Sequence, residues 1–539
     1  MVQTPPSLDS PRWPSTTVGL AAIFLAFFAS NFIFYGQSAL LPRVAAELNG
    51  MALYSWAVSI PALTSALVTL IFGKLSDMHG RRVLLLLSLA LFAMGAVLSA
   101  LSRNFVAFIA ARGLLGLGQG AIAPLCFSVL GDFFEPVERG RWAGLLNIPA
   151  GIAALVGPSL GGWLTDALSW RYLFWLCVPF LIASGILVQS GVPSLAQRAA
   201  YRIDWLGSLL LTLASSAMVL GFSWAGSMHP WGSLPVIGTL GASVVLWAAF
   251  LRVEARAAGP VLDPEVLVNR TFITAAAAGL LSLFGLTAVM VYLPLFLQGV
   301  QNASATLSGQ VLTPFSVLMA FMGVPAGFLI ARTRRYKWMY IAGYALLTAT
   351  MFGMVLLTRK TPVIWNFVVS TMAGLGLGTI PTINALVAQY AVPKRLLGVA
   401  TGAMYFFVVI GAAVAPAILG SVMNGTYTNA LEAVLPAELD QMMDPAMRAL
   451  LADPRVLLSA EALTALQGSF QKAGDRGSDL LEQTVQAIRG ALEEGLRAVF
   501  WIGAATMAIS FLLILTIPEI VIGTEATEQK SVAEDSPAP

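Results

Sequence analysis

Fourteen runs of about twenty apolar residues, each long enough to cross a bilayer as a helix, leave this chain little choice of fold. They fall at 17–41, 53–73, 83–101, 105–131, 142–165, 170–190, 205–226, 231–251, 272–298, 308–331, 338–358, 363–389, 396–423 and 498–518. In lipid no water is available to bond backbone N–H and C=O groups, so each run must satisfy its own backbone as a helix. With 58% hydrophobic and 11% charged residues, the 539-residue chain has more apolar surface than a water-soluble core could hide. The expectation is an all-α integral membrane protein with 14 transmembrane helices. The first run is too long for a signal-peptide core, so it is expected to remain as the first span.

An even number of spans puts both termini on one side. If that side is the cytoplasm, the short inner loops carry sixteen Lys and Arg, from Lys74 to Arg395. The short outer loops carry five: Arg43, Arg103, Arg171, Arg359 and Lys360. Basic residues flanking a span resist translocation, so both termini are expected in the cytoplasm and the chain in the plasma (inner) membrane. The net charge of +3 and the absence of a basic tract give no reason to expect nucleic acid. Cys126 and Cys177 both lie inside apolar runs, and with two histidines they offer no metal set. No cofactor is expected.

The chain also repeats itself at an offset near 258 residues. Gly116-Leu-Gly118-Gln-Gly120 returns as Gly374-Leu-Gly376-Leu-Gly378, and Gly157-Pro158 with Gly162 returns as Ala415-Pro416 with Gly420. The loop Gly73-Lys-Leu-Ser-Asp77-Met-His-Gly80-Arg81-Arg82 has a worn copy running from Gly327 to Arg334-Arg335. Two copies in the same orientation imply two six-helix repeats about an axis along the membrane normal, helices 1–6 and 9–14, with helices 7 and 8 as an inserted pair. The expected division is an N-terminal segment 1–16, a bundle 17–190, a linker with the inserted pair 191–270, a bundle 271–518 and a disordered cytoplasmic tail 519–539. The second bundle includes an extracytoplasmic loop, 424–497, with eleven acids and six bases, broken at Pro436, Pro445, Pro454 and Gly474–Gly477. It reads either as a solvated helical cap or as a docking or gating element.

The glycine-bracketed loop G-K-L-S-D-x-x-G-R-R resembles the loop after the second helix in the major facilitator superfamily of transporters. Arg112-Gly-Leu-Leu-Gly-Leu-Gly-Gln-Gly resembles the fourth-helix arginine motif of its fourteen-helix drug:proton antiporter branch. The run Gly151 to Gly162, with Gly157, Pro158 and Gly161, resembles that branch's fifth-helix antiporter motif. Ser169-Trp170-Arg171-Tyr172 and the stretch from Tyr292 to Gln301 are similar to its sixth-helix start and ninth-helix end. The resemblance implies that Gly73, Asp77, Gly80, Arg81 and Arg82 form a cytoplasmic latch, the acid facing the N-terminus of the thirteenth helix near Leu396–Gly398.

Physical chemistry adds to that. Small residues at Gly157, Gly161 and Gly162 allow close helix approach, and Pro158 bends the helix, so this run is expected to rock. Arg112 is a formal charge deep in a span and must face protein or water. In one respect the chain departs from the branch. The stretch from Ser30 to Pro42, where an acid is implied in the first helix, has none, and no Asp or Glu lies mid-span. Asp132 and Asp166, near span ends, are left as possible coupling acids. With Arg112 as the only deep charge, the cavity is expected to favour neutral or anionic amphiphiles over cations.

The expected function is a secondary active transporter, not an enzyme, exporting amphipathic small molecules or drugs by alternating access with proton coupling. The alternatives are uniport or metabolite or lipid-like export without protons, and a non-transporting receptor or scaffold. Substrate-binding candidates are Asn31, Tyr35, Gln37, Asn147, Tyr292 and Tyr405. Expected partners are the amphiphile, protons and the lipid bilayer, with the chain as a monomer.

Overall fold

A computed structural model describes residues 16–48, 54–194, 204–225, 229–257, 262–303, 305–435 and 477–519, with isolated positions between 451 and 470. The described chain is almost wholly helical. The first half comprises α1 (Thr16–Glu47), α2 (Tyr54–His79), α3 (Arg81–Leu101), α4 (Phe105–Phe133), α5 (Pro136–Leu145), α6 (Asn147–Ala167) and α7 (Arg171–Gly191). A hairpin follows, α8 (Trp205–Trp224) and α9 (Leu234–Glu254). After the short α10 (Pro264–Val268) come α11 (Arg270–Thr287), α12 (Leu293–Leu295), α13 (Ala305–Phe321), α14 (Gly323–Thr333), α15 (Lys337–Val355), α16 (Val363–Tyr390), α17 (Leu397–Val434) and α18 (Gly477–Leu515).

Among the described residues eleven helices are long and apolar enough to cross a membrane, and Ile60–Gly73 and Leu206–Phe222 are shorter apolar stretches. The fifth run, on α6, is helical but falls outside that count. The ninth run is continuous from α11 through two π-helical turns, Ala288–Tyr292 and Phe296–Val300, on either side of α12. Each π turn adds a residue to the helical repeat and rotates everything beyond it.

The same pairings occur in both halves. α1 packs on α6 and α7, as α11 packs on α17 and α18; α4 lies against α2 and α3, as α16 lies against α13 and α15; α3 meets α7, as α15 meets α18. The α8–α9 hairpin stands outside this pattern. α8 rests on α2 and α17, while α9 is only 17% buried over its apolar window and presents Leu234, Val244 and Val245 outward, as lipid-facing side chains should be.

The segment 424–497 begins and ends in helix. α17 runs unbroken to Val434, and α18 starts at Gly477, so both flanks are helix. At 1.5 Å per residue their 38 and 39 residues make rods of about 57 and 58 Å, well beyond a core of about 30 Å. Tyr427 Oη donates to the Leu451 carbonyl at 2.8 Å, tying Leu451 to α17. The breaks expected at Pro436, Pro445, Pro454 and Gly474 lie outside the described residues. At the far end of the chain Glu519, placed in the tail by sequence, pairs with Arg335 at 3.7 Å.

Candidate functional site

Two features dominate the space between the halves: a seal at one face and a cavity behind it. The seal consists of two glycine contacts. Gly73 of α2 lies so close to α17 that a β-carbon there would stand 2.6 Å from the Gly398 carbonyl and 3.4 Å from Gly402 Cα. Gly327 of α14 meets Gly140 and Gly144 of α5 in the same way, with Gly144 Cα 3.0 Å from such a β-carbon. The pairs match by the repeat: Gly140 and Gly144 correspond to Gly398 and Gly402 at an offset of 258, and Gly73 to Gly327 at 254.

The charges differ between the two contacts. At the first, Asp77 Oδ2 accepts from Val399 N at 3.2 Å, in the opening turn of α17, where the helix dipole favours an anion. Arg81 pairs with Asp77, bonds Ser76 Oγ and reaches Asp132 Oδ2 through Nε at 3.0 Å. Burial pushes the Asp77 carboxyl above the usual carboxylate value, against the opposing pull of Arg81. Gly80, at φ 91°, takes a backbone conformation that L side chains resist and turns the chain into α3. Arg82 points away and bonds Gln189 at 3.3 Å. At the second contact Ala331 stands where Asp77 does, Arg334 adopts the left-handed turn, and Arg141 lies over the Phe328 ring at 4.8 Å.

The cavity, about 290 Å³, is lined by α1, α6, α11, α13, α16 and α17. Its polar groups are Asn31, Tyr35, Asn147, Ser282, Asn384 and Tyr405, and none of its lining residues is ionisable in the physiological range. Asn147 bridges the halves, its Nδ2 donating to Thr382 Oγ1 at 2.9 Å. Four of the six sequence candidates, Asn31, Tyr35, Asn147 and Tyr405, therefore line it. Gln37 and Tyr292 do not. Gln37 is a turn and a half beyond Asn31 on α1, and Tyr292, the last residue of a π turn, is buried with its hydroxyl toward Gly420. Ser282 and Asn384 were not singled out by sequence, although an amide inside an apolar run was a usable signal.

Three further groups of sequence candidates lie away from the cavity. Gly157 and Gly161 do not face the other half. Their β-carbon positions run into α1 of the same bundle, 3.1 Å from Gly36 N and 2.7 Å from Gly36 O respectively. The small residues of this region that cross between halves are Gly140, Gly144 and Gly151, the last against Ala320. Arg112 is buried on α4 with its guanidinium 5.8 Å from the Phe108 ring centroid, and it does not line the cavity, so it gives the cavity no positive lining. Asp132, a possible coupling acid near a span end, pairs with Arg81 at the seal. Pro158, Gly162 and Asp166 sit in α6, but their surroundings lie outside what is described.

Two helical halves closed over a central cavity at one face define a polytopic membrane protein of the facilitator type. The chain belongs to the Major Facilitator Superfamily, whose profile matches residues 23–416, a family of transporters rather than enzymes. It is 34% identical over 381 residues to an uncharacterized MFS-type transporter of Mycobacterium tuberculosis, covering 71% of this chain but only 56% of that relative. It is 26% identical over 532 residues to the multidrug transporter protein MdtP of Bacillus subtilis, covering 96% of each. Among solved structures, the human organic anion transporter MFSD10 (TETRAN) shares the fold, with a TM-score of 0.57 at 15% identity over 93% of this chain and all of that one.

Proposed function

We propose that this chain is a secondary active exporter of amphipathic small molecules, working by alternating access. The bundles are residues 17–190 and 271–518, two six-helix repeats joined by 191–270 with its inserted pair, fourteen spans in all. The matched pairings of α1–α7 and α11–α18 support the repeat. The observation that carries the reading is the cavity itself. It is walled by helices of both bundles and lies behind two glycine contacts that close a single face, so separating the bundles there would open it. The name of MdtP, a multidrug transporter, supports small molecules as the substrate class, and export is the direction we propose.

The energy source we propose is the proton gradient, in a plasma membrane with both termini cytoplasmic. The acid we assign to proton uptake as the seal breaks is Asp77, which is buried against Arg81 while this face is closed. Uptake of neutral, anionic and cationic fluorescent amphiphiles into inverted vesicles, with and without an imposed pH gradient, tests this reading. Accumulation that collapses with a protonophore is the expected result. No gradient-dependent uptake of any probe would remove it.

A further inference from the structure

We propose that Asn384 determines specificity in the cavity, and that the substrate is an uncharged amphiphile offering a hydrogen-bond acceptor to Asn384 and a donor to Asn31 or Asn147. The proposal rests on the export reading above and says what that cavity selects.

The lining holds no Asp, Glu, Lys, Arg or His. A charged molecule entering would give up its hydration and find no counter-ion, which disfavours either sign. At about 290 Å³ the space is at the small end of ligand pockets, which run from about 300 to 1,000 Å³. Selection must therefore come from a few neutral hydrogen bonds, and the three amides are committed in opposite senses. Asn31 spends its nitrogen on the Phe27 carbonyl at 2.8 Å. Asn147 spends its nitrogen on the Ala143 carbonyl at 3.0 Å and on Thr382 Oγ1. Among the described residues no donor reaches either Oδ1, so this wall offers acceptors.

Asn384, on α16 across the cavity, is the reverse. Its Oδ1 accepts from Tyr340 Oη of α15, while its nitrogen donates to no described group and sits beside Gly279, where a β-carbon would come within 2.9 Å. This wall offers a donor. Tyr340 is fully buried, with its ring 5.3 Å from that of Tyr344, so it cannot swing aside. If the amide flipped, the phenol would face an NH2 in place of an acceptor. Tyr340 is thus a positioning residue that keeps the donor end of Asn384 toward the cavity.

The test uses full-length protein in nanodiscs and three fluorescent probes: Nile red (uncharged, carbonyl acceptor), ethidium (cation) and 8-anilinonaphthalene-1-sulfonate (anion). Empty discs serve as the blank. Wild type is expected to bind Nile red at least tenfold more tightly than either ion. Asn384→Leu should lose about tenfold for Nile red. Asn384→Asp, the same shape with a charge, should lose Nile red and gain ethidium by about tenfold. Tyr340→Phe should narrow the preference for Nile red over 1-naphthol, a donor probe, without changing the melting temperature in step. If Asn384→Leu is not monodisperse, the isosteric Asp variant carries the test. Equal wild-type affinity for ethidium or the sulfonate, or an Asn384→Asp protein that gains no ethidium, overturns the proposal while leaving export standing. Failure of all probes both to bind and to be exported overturns the export reading with it.

Discussion

Asp77 and Gly398 meet across the seam between the bundles: a β-carbon at position 398 would stand 2.5 Å from both carboxylate oxygens. Only glycine at that position lets the acid reach the opening N–H groups of α17. The seal thus couples a backbone close contact to one buried charge. Its counterpart, Gly327 on Gly140 and Gly144, makes the same close contact without the acid.

Asp77→Asn is expected to leave the protein in the membrane and weaken closure of this face. An anion at a helix N-terminus contributes about 0.3–1 kcal/mol, up to about 2 when partly buried, enough to shift a two-state balance by roughly twofold to tenfold or more. Transport per folded molecule should fall, and accessibility of this face to a membrane-impermeant thiol reagent at an engineered cysteine should rise. Unchanged rates and accessibility would show that the acid only anchors the turn.

Two glycine substitutions should separate closure from folding. Gly144→Ala places a methyl against α14, 3.1 Å from the Val324 carbonyl and 3.2 Å from Gly327 Cα, so it opposes closure while each bundle keeps its own packing. Gly161→Ala places one 2.7 Å from the Gly36 carbonyl inside the first bundle, an overpacking that costs about 1–3 kcal/mol of stability. The first should lose transport at near-normal melting temperature. The second should lower the melting temperature of detergent-purified protein. The same pattern from both would erase the distinction between seam and bundle.

What could be read from the sequence follows the period of the signal. Runs of apolar residues located the helices because lipid forces each segment to bond internally. The loop around Asp77 was readable because its spacing is local. Side-chain direction within a span was less so, since nearly every face is apolar. Tyr292 shows why: its π turn shifts the rotation of the helix in a way that no 3.6-residue pattern reveals. The fifth-helix glycines revealed a close contact but not its partner, because Gly36 and the opposite bundle demand the same small face. Helix in 424–497 was legible, but the charges at its end hid that 477–497 continues the last span without a break.

Tyr427→Phe should loosen the segment between α17 and α18 without altering transport. It deletes the hydroxyl that donates to the Leu451 carbonyl, a bond worth about 1 kcal/mol net. Faster limited proteolysis between residues 436 and 476 at unchanged uptake is expected. A matching loss of transport would give the segment a gating role instead of a cap.

The most direct test is the distance across the sealed face. His79 at the end of α2 and Arg332 in the last turn of α14 are exposed and belong to opposite bundles, while Cys126 and Cys177 are buried and take up little label. Spin labels at His79→Cys and Arg332→Cys, read by pulsed electron resonance in nanodiscs, should give one dominant short distance in wild type. A second population several ångströms longer should appear with Asp77→Asn or Gly144→Ala. A single distribution, unmoved by either substitution, would contradict the claim that the bundles part at this seam.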